Sequence, residues 1–398
     1  MLDVLLYEAY SGKATGNIRY LLDLARFGSE YGIRLHVAVP ADFAVLDEAR
    51  EIGVPCTVIS PGNRLMRYGG LIQQERALSR MRTAWAMVRY WGKLRAWTGR
   101  SSPQVLLTNN LRSHLLAAPA VRSRGIPAVW YVTGETESVP LGRLAFRLAA
   151  RVLFQSELTV DRRLASPKAM AHKQRIVPNG VDVERILAIA NAGCADLRKP
   201  DSELWLTCVA RLSRPKGIAV LIDAFEQIAR EDGRVRLILV GDTGREIDIP
   251  FVAEIRSRIA ESGLTDKVRM LGWREDAAAI VALSDVVVHP SFTEGMPKAI
   301  IEAMVIGRPV IASAVGGIPD FVRDGETGFL VPAGDPAALA RALSVICSDA
   351  ALRRDMGFAA SLFARRRTIE ANVRALASVL TDVVAENGRT RPDPPRGR

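Results

Sequence analysis

Residues 284–309 read SDVVVHPSFTEGMPKAIIEAMVIGRP, and the fold of the second half of the chain can be worked out from this run. Residues 286–290 are a short β-branched stretch, the pattern of a buried strand. Pro297 suits the first position of a helix, where a missing N–H removes no bond. Gly307 suits the stop, and Pro309 lies just beyond it. Glu294 then falls in the loop between strand and helix, at the carboxyl edge of a sheet. The N–H groups of Gly295, Met296 and the first helical turn face that edge, where a helix N-terminus favours phosphate or a polar hydroxyl. Glu302 lies one and a half turns into a helix otherwise built from Ala, Ile, Met and Val. A carboxylate there needs a partner or an opening. Lys298, four residues earlier, is one partner, but that order is the weaker one for a helical ion pair, so a ligand role for Glu302 is favoured.

The same strand–loop–helix grammar extends outward. In the second half, residues 204–211, 236–241, 268–271, 309–314 and 329–332 also read as strands, and 218–229, 337–348 and 351–365 as helices. In the first half, strands are expected at 4–8, 35–40, 56–59, 105–109, 128–133, 152–155 and 175–178, with helical periodicity at 18–31 and 112–124. Val-, Leu- and Ile-rich strands alternating with helices predict parallel sheets covered on both faces. The 398 residues are too many for one ordinary core. The expected architecture is α/β, with two Rossmann-like, doubly wound domains facing across a cleft. The boundaries read as 1–193 and 194–365, with a linker at 191–200. A helix at 366–387 would pack back on the first domain, and a Pro- and Arg-rich tail at 388–398 would be disordered.

A second chemical signal is Val209-Ala-Arg211-Leu-Ser-Arg-Pro-Lys216-Gly217, where a strand ends and the next helix opens. Two cations at such a turn make a diphosphate cradle, Arg as a planar fork and Lys as a point charge. Taken alone, the same pair also fits two solvated loop cations. Thr15-Gly16-Asn17-Ile18-Arg19, between the first strand and first helix, lets backbone approach a ligand, though any tight turn needs glycine. There is no GxGxxG and no GxxxxGK[ST], which disfavours nicotinamide enzymes and P-loop nucleotidases. His36, His114, His172 and His289 show no metal-ligand spacing, and His36 and His289 sit in strand patterns that suggest structural roles. No Asp-x-Asp follows an apolar strand, and Asp182-Val-Glu184 reads as a helix start. No metal and no cofactor are expected.

Charge is unevenly spread. Residues 1–195 carry 26 Lys and Arg against 15 Asp and Glu, whereas residues 196–398 carry 28 against 28. Much of the excess lies at 64–100, where nine cations meet only Glu75 and are interleaved with Trp85, Trp91, Trp97, Tyr90, Met81 and Met87. A long Arg/Trp helix suits an anionic membrane face. The same pattern suits a solvated helix whose aromatics pack on their own domain. Nucleic acid is disfavoured, because no recognised motif accompanies the charge. Four scattered cysteines without a CxxC point to a reducing compartment. With no signal-peptide core and no spanning run, the expected location is cytoplasmic, free or on the membrane face.

Taken together, these residues resemble the retaining glycosyltransferases of family 4, which have the GT-B fold. Glu294 and Glu302 have seven residues between them, as in that family's paired-glutamate motif. The resemblance extends through GRPVIASAVGGIPD (307–320), GETGFLVP (325–332), VARLSRPKG (209–217), LILVGD (237–242) and IVPNGVD (176–182). It is dense over about 175–365 and looser before, through TGNIR (15–19) and RSRGIPAVW (122–130). It implies metal-independent transfer from a UDP- or GDP-sugar, with retention, to a glycan or lipid-linked acceptor in bacterial polysaccharide or envelope glycan biosynthesis. Arg211 and Lys216 would hold the diphosphate and serve catalysis with Glu294. Glu302 would bind the ribose, and Glu294 with the backbone of Gly295, Met296 and Pro297 the transferred sugar. Gly16, Arg19 and Thr133 would lie on the acceptor and phosphate side. Thr133 stands where many members carry a histidine, and Thr15-Gly16 replaces the usual Gly-Gly. The rival readings are a non-catalytic sugar-nucleotide or glycan-binding protein of the same fold and, with less weight, a nucleotide-sugar epimerase.

Overall fold

A computed structural model describes residues 1–9, 16–42, 44–62, 65, 77–133, 136, 138–243, 248–295 and 297–389. Met296, Ser11, Gly12, Thr15 and most of residues 64–76 therefore lie outside the described residues.

The chain divides into two compact units, Met1–Pro178 with Ile369–Arg398, and Asn179–Thr368. The first runs β1 (Leu2–Tyr7), α1 (Gly16–Phe27), β2 (Ile33–Val39), α2 (Ala44–Glu51), β3 (Cys56–Val58), α3 (Ala77–Ser101), β4 (Val105–Thr108), α4 (Leu111–Arg122), β5 (Ala128–Val132), α5 (Val139–Leu148), β6 (Arg151–Phe154), α6 (Pro167–Lys173) and β7 (Gln174–Ile176). All seven strands are parallel, in the order β3-β2-β1-β4-β5-β6-β7. Strands β4, β5 and β6 are buried at every position, which is why they read as continuous apolar runs.

The second unit runs α7 (Val183–Ala192), β8 (Leu204–Val209), α8 (Ile218–Glu231), β9 (Val235–Val240), α9 (Ile249–Glu261), β10 (Val268–Met270), α10 (Ala277–Leu283), β11 (Val286–His289), α11 (Lys298–Ile306), β12 (Val310–Ser313), β13 (Gly328–Val331), α12 (Pro336–Ser348) and α13 (Ala350–Ala364). Its six parallel strands follow the order β10-β9-β8-β11-β12-β13. Counted from each unit's first strand, both sheets share the winding 3-2-1-4-5-6, which the first extends by β7. The order reverses between β1 and β4 and again between β8 and β11, and a doubly wound sheet opens a crevice beyond the strand ends at such a switch point.

The division falls after Pro178, not at residue 193. Val181 and Ile186 are buried in one cluster with Val287, Ile300, Met304 and Phe321, so α7 belongs to the second core. The polar run at 191–200 is a connection inside that unit. The chain returns at α14 (Ile369–Arg389). Ile369, Val373, Leu376 and Leu380 of α14 are buried in one cluster with Val4, Leu6, Val37 and Leu107 of the first sheet. Asn372 ties the return further, accepting from the Tyr20 hydroxyl at 2.9 Å and donating to the Pro178 carbonyl at 2.6 Å. The helix continues through Gly388 and Arg389, into the stretch expected as tail, and the residues beyond lie outside the described set.

The basic segment forms α3 over its described length. Tyr90 and Leu94 are buried, and Met87, Trp91 and Trp97 pack on the same cluster, together with Leu5, Tyr7 and Leu116. Met81, Trp85 and Val88 are instead exposed, at 69%, 62% and 58%. They recur at i, i+4 and i+7, and so share one outward stripe. Exposed Arg82 and Arg89 accompany them, and the Arg89 guanidinium lies 4.7 Å from the Trp85 ring centroid. The helix therefore divides the two readings of its aromatics between its faces. Among the described residues, no helix is long and apolar enough to cross a membrane.

Candidate functional site

In the second unit, the loops leaving β8 and β11 flank the switch point. Arg211, Ser213 and Lys216 follow β8; Ser291 and Glu294 follow β11. The two loops are joined by backbone, the Phe292 N–H donating to the Pro215 carbonyl at 2.8 Å. Glycine makes the approach possible. Gly217 has φ +67°, and a Cβ there would collide with the Pro290 carbonyl. Gly316 has φ +54°, and its Cβ would meet the Glu294 carbonyl.

Glu294 is the centre of the cluster, with a side chain 10% exposed. Its Oε1 accepts from Lys216 Nζ in a short ion pair, from His289 Nε2 at 2.7 Å and from Ser291 Oγ at 3.0 Å. Burial alone pushes the Glu294 carboxyl up, but His289 and Lys216 outweigh it and hold the group down at about 2. The carboxylate is therefore charged at neutral pH. Arg211 is about one third exposed, its Nε 3.4 Å from Ser213 Oγ and 4.0 Å from Asp248 Oδ2.

Pro297 is the N-cap of α11, so the helix starts one residue later than the sequence pattern predicts, and Gly307 ends it in the left-handed conformation at φ 84°. Glu302 is half-buried on α11 between buried Ile301 and Ala303, and Lys298 is half-buried one turn before. Met296 lies outside the described residues. The structure thus brings Lys216 and Glu294 into contact, sets Arg211 in the same loop as Lys216, and places Gly295, Pro297 and Glu302 at and along the helix that follows. Sequence reasoning missed the role of His289. It was readable as the one polar residue ending a strand of valines at the carboxyl edge.

The first unit's switch point has different chemistry. Glu8 follows β1, and Asn109 and Asn110 follow β4. Glu8 is 2% exposed and accepts from Asn110 Nδ2 at 2.9 Å. Asn110 caps α4, its Oδ1 accepting from the Ser113 N–H at 2.8 Å, and Ser113 Oγ accepts from the Ala9 N–H at 2.8 Å. Thr133, just beyond β5, donates to the Asn109 carbonyl at 2.7 Å. Asn109 Nδ2 is buried without a hydrogen-bond partner among the described residues. Gly16 and Arg19 occupy the first turn of α1. Beneath this edge, His114 is fully buried, with Nδ1 2.8 Å from Thr108 Oγ1 and its ring stacked on Trp130. Burial, helped by the charges of Arg122 and Lys173, pushes the imidazole down to about 3, so it is neutral. The sequence reading gives His289 a structural role and does not single out Glu8, Asn109, Asn110 or Ser113.

Known proteins match both units. Residues 16–185 match the profile described as Glycosyltransferase Family 4, and residues 203–349 the profile described as Glycosyl transferases group 1. A D-inositol 3-phosphate glycosyltransferase of Streptomyces scabiei is 32% identical over 65% of this chain and 58% of its own, so the match spans less than two thirds of that relative. A phosphatidyl-myo-inositol mannosyltransferase of Mycobacterium leprae is 28% identical over 86% of this chain and 87% of its own. Among solved structures, Anabaena HepE in complex with UDP and glucose superposes with a TM-score of 0.75 at 24% identity, over 96% of this chain and all of its own, a likeness of fold.

Proposed function

Since the chain belongs to the family 4 glycosyltransferases of the GT-B fold, we propose that it moves a sugar from a nucleoside-diphosphate donor to a glycan or lipid-linked acceptor, with retention at the anomeric carbon. The observation that carries this reading is the Lys216–Glu294–His289 cluster at the second switch point. It sets a cation for a diphosphate beside a carboxylate for sugar hydroxyls, in a site closed enough to strengthen both. Arg211 joins Lys216 in neutralising the leaving diphosphate, and Glu302 takes the ribose. The leaving phosphate oxygen accepts the acceptor's proton on the face it departs from. The protein's work is to neutralise charge and to position both substrates, and no metal or other cofactor enters.

A UDP-sugar is the first donor to try, because the HepE structure holds UDP and glucose; GDP-sugars are the alternative. The names of the relatives point to inositol phosphates and their lipids as acceptors to try in a screen. Gly16, Arg19 and Thr133 form the acceptor side of the first unit. The exposed Met81–Trp85–Val88 stripe with Arg82 and Arg89 supports docking of α3 on an anionic membrane face at the cytoplasmic leaflet, where a lipid-linked acceptor for polysaccharide or envelope glycan assembly would be available.

Calorimetry without metal, across UDP- and GDP-sugars, tests the core of this reading. Tight binding to one series that is lost in Glu302→Ala supports it; no binding to either overturns it. Thr133 keeps one second reading, a sugar-nucleotide-binding protein without turnover. Its hydroxyl is spent on the Asn109 carbonyl and stands where a titratable group is usual. Donor binding with no product on any acceptor would favour that reading.

A further inference from the structure

Every described hydrogen bond to the Glu294 carboxylate falls on one oxygen. Lys216, His289 and Ser291 all address Oε1. Oε2 has no partner among the described residues and is not sealed from solvent. A carboxylate offers about four lone-pair sites, so this grip leaves half the group for a ligand.

His289 explains why the grip is fixed. A carboxylate only accepts, so Nε2 carries the proton that faces Oε1. In the neutral ring, Nδ1 is then a bare acceptor, and it is buried with no partner among the described residues. An apolar residue closing the Val286-Val-Val run would pack without that orphan. What the imidazole adds is one N–H, held rigidly at the end of β11 and aimed at Oε1. Lys216 cannot give the same anchorage once a donor is bound, because a diphosphate competes for its ammonium.

We propose that His289 is a positioning residue for the transferred sugar: with Ser291 it keeps Oε1 of Glu294 anchored when the diphosphate draws Lys216 away, so that Oε2 stays turned to a sugar hydroxyl. This rests on the donor reading above. It predicts a split that a purely structural histidine would not give, with the sugar's share of donor affinity depending on His289 and the nucleotide's share not.

The test is calorimetry of UDP against UDP-glucose, and of GDP against GDP-mannose, on the wild-type chain and on His289→Gln, His289→Asn and His289→Phe. A glutamine amide reaches the position of Nε2, an asparagine amide falls short near Nδ1, and phenylalanine fills the space without a donor. Loss of one hydrogen bond to a charged group predicts about 10- to 100-fold weaker sugar-nucleotide binding in the Asn and Phe variants. Plain nucleotide affinity should stay within about threefold in all three, and Gln should restore most of the loss. Sugar-nucleotide affinity unchanged in both Phe and Asn overturns the role of His289 and leaves the donor site standing. Equal losses for nucleotide and sugar nucleotide, with Gln no better than Asn, also overturn it, because the histidine is then structural. A wild-type chain that binds none of the four probes overturns the donor site itself and this role with it. If the Phe variant does not fold, the Gln and Asn pair, one methylene apart, decides.

Discussion

The two units wind their sheets the same way, and the described residues at their switch points differ in chemistry. Beyond β8 and β11 stand Arg211, Lys216 and the charged Glu294, in contact or in one loop, with a carboxylate oxygen left open. Beyond β1 and β4, Glu8 is buried, and its hydrogen bonds to Asn110 and Ser113 come from an amide and a hydroxyl. A parallel sheet therefore fixes where a ligand binds, and the loops alone decide what kind.

The largest expected effect breaks this contrast at its charged end. Arg211→Ala or Lys216→Ala should lower turnover about 10²- to 10³-fold, the scale of one lost charge-stabilising group. Steady-state rates on the active donor–acceptor pair measure it, and a loss under about threefold in both variants would sink the diphosphate cradle. Next comes membrane docking, which draws on the first unit's charge away from its edge. Each Arg near an anionic surface contributes about 1 kcal/mol, so Arg82→Glu with Arg89→Glu should weaken binding to phosphatidylglycerol vesicles by at least about tenfold. Cosedimentation at low salt reads this out, and equal binding by wild type and variant would remove α3 from the membrane.

Acid should separate the units by pH. The buried His114 ring refuses the proton that the unfolded chain accepts below 6.5, so the stability it contributes is present above pH 6.5 and is lost progressively as pH falls toward about 3. Glu294 is depressed to about 2 from the ordinary 4.5, so its contribution is intact above 4.5 and lost only as pH falls toward 2. Amide exchange, corrected for intrinsic pH dependence, should rise in β5 near pH 5 while β11 stays protected, and His114→Leu should flatten the β5 response. Simultaneous loss in both strands would contradict the assignment. The smallest effect belongs to Thr133→Ala. It removes one neutral hydrogen bond at the first edge, worth about 1 kcal/mol. Donor affinity should hold within about twofold while turnover falls a few-fold; a donor affinity that falls as far as turnover would erase the distinction between the edges.

The second edge was legible because strand, loop and helix are consecutive, so 26 residues carry Glu294, its helix and Glu302 together. Arg211 and Lys216 stood out as two cations at a strand-to-helix turn, a pattern that two solvated loop cations share. The first edge assembles Glu8, Asn109 and Ser113 from segments about a hundred residues apart, and residues joined only by topology leave no spacing to read. The contact of His289 with Glu294 was not legible because a histidine ending a strand has the periodicity of a core residue; only the distance to Glu294 shows its partner. The boundary was misplaced because composition marks polar loops, whereas the division follows which core Val181 and Ile186 enter.

The returning helix α14 has a consequence for the gene as an object to be cut. The second unit is an insertion: its two ends meet where Val181 pairs with Thr368 and its N–H bonds the Arg367 carbonyl at 3.1 Å. Residues 179–368 form one uninterrupted reading frame, so this unit is the natural piece to excise, transplant or permute. The other unit is not made by residues 1–178 alone, because its first strand shares a buried cluster with α14. A stop near residue 369 would expose the face of the sheet that holds Val4 and Leu6, and the whole inserted unit must be synthesised before α14 can cover that face.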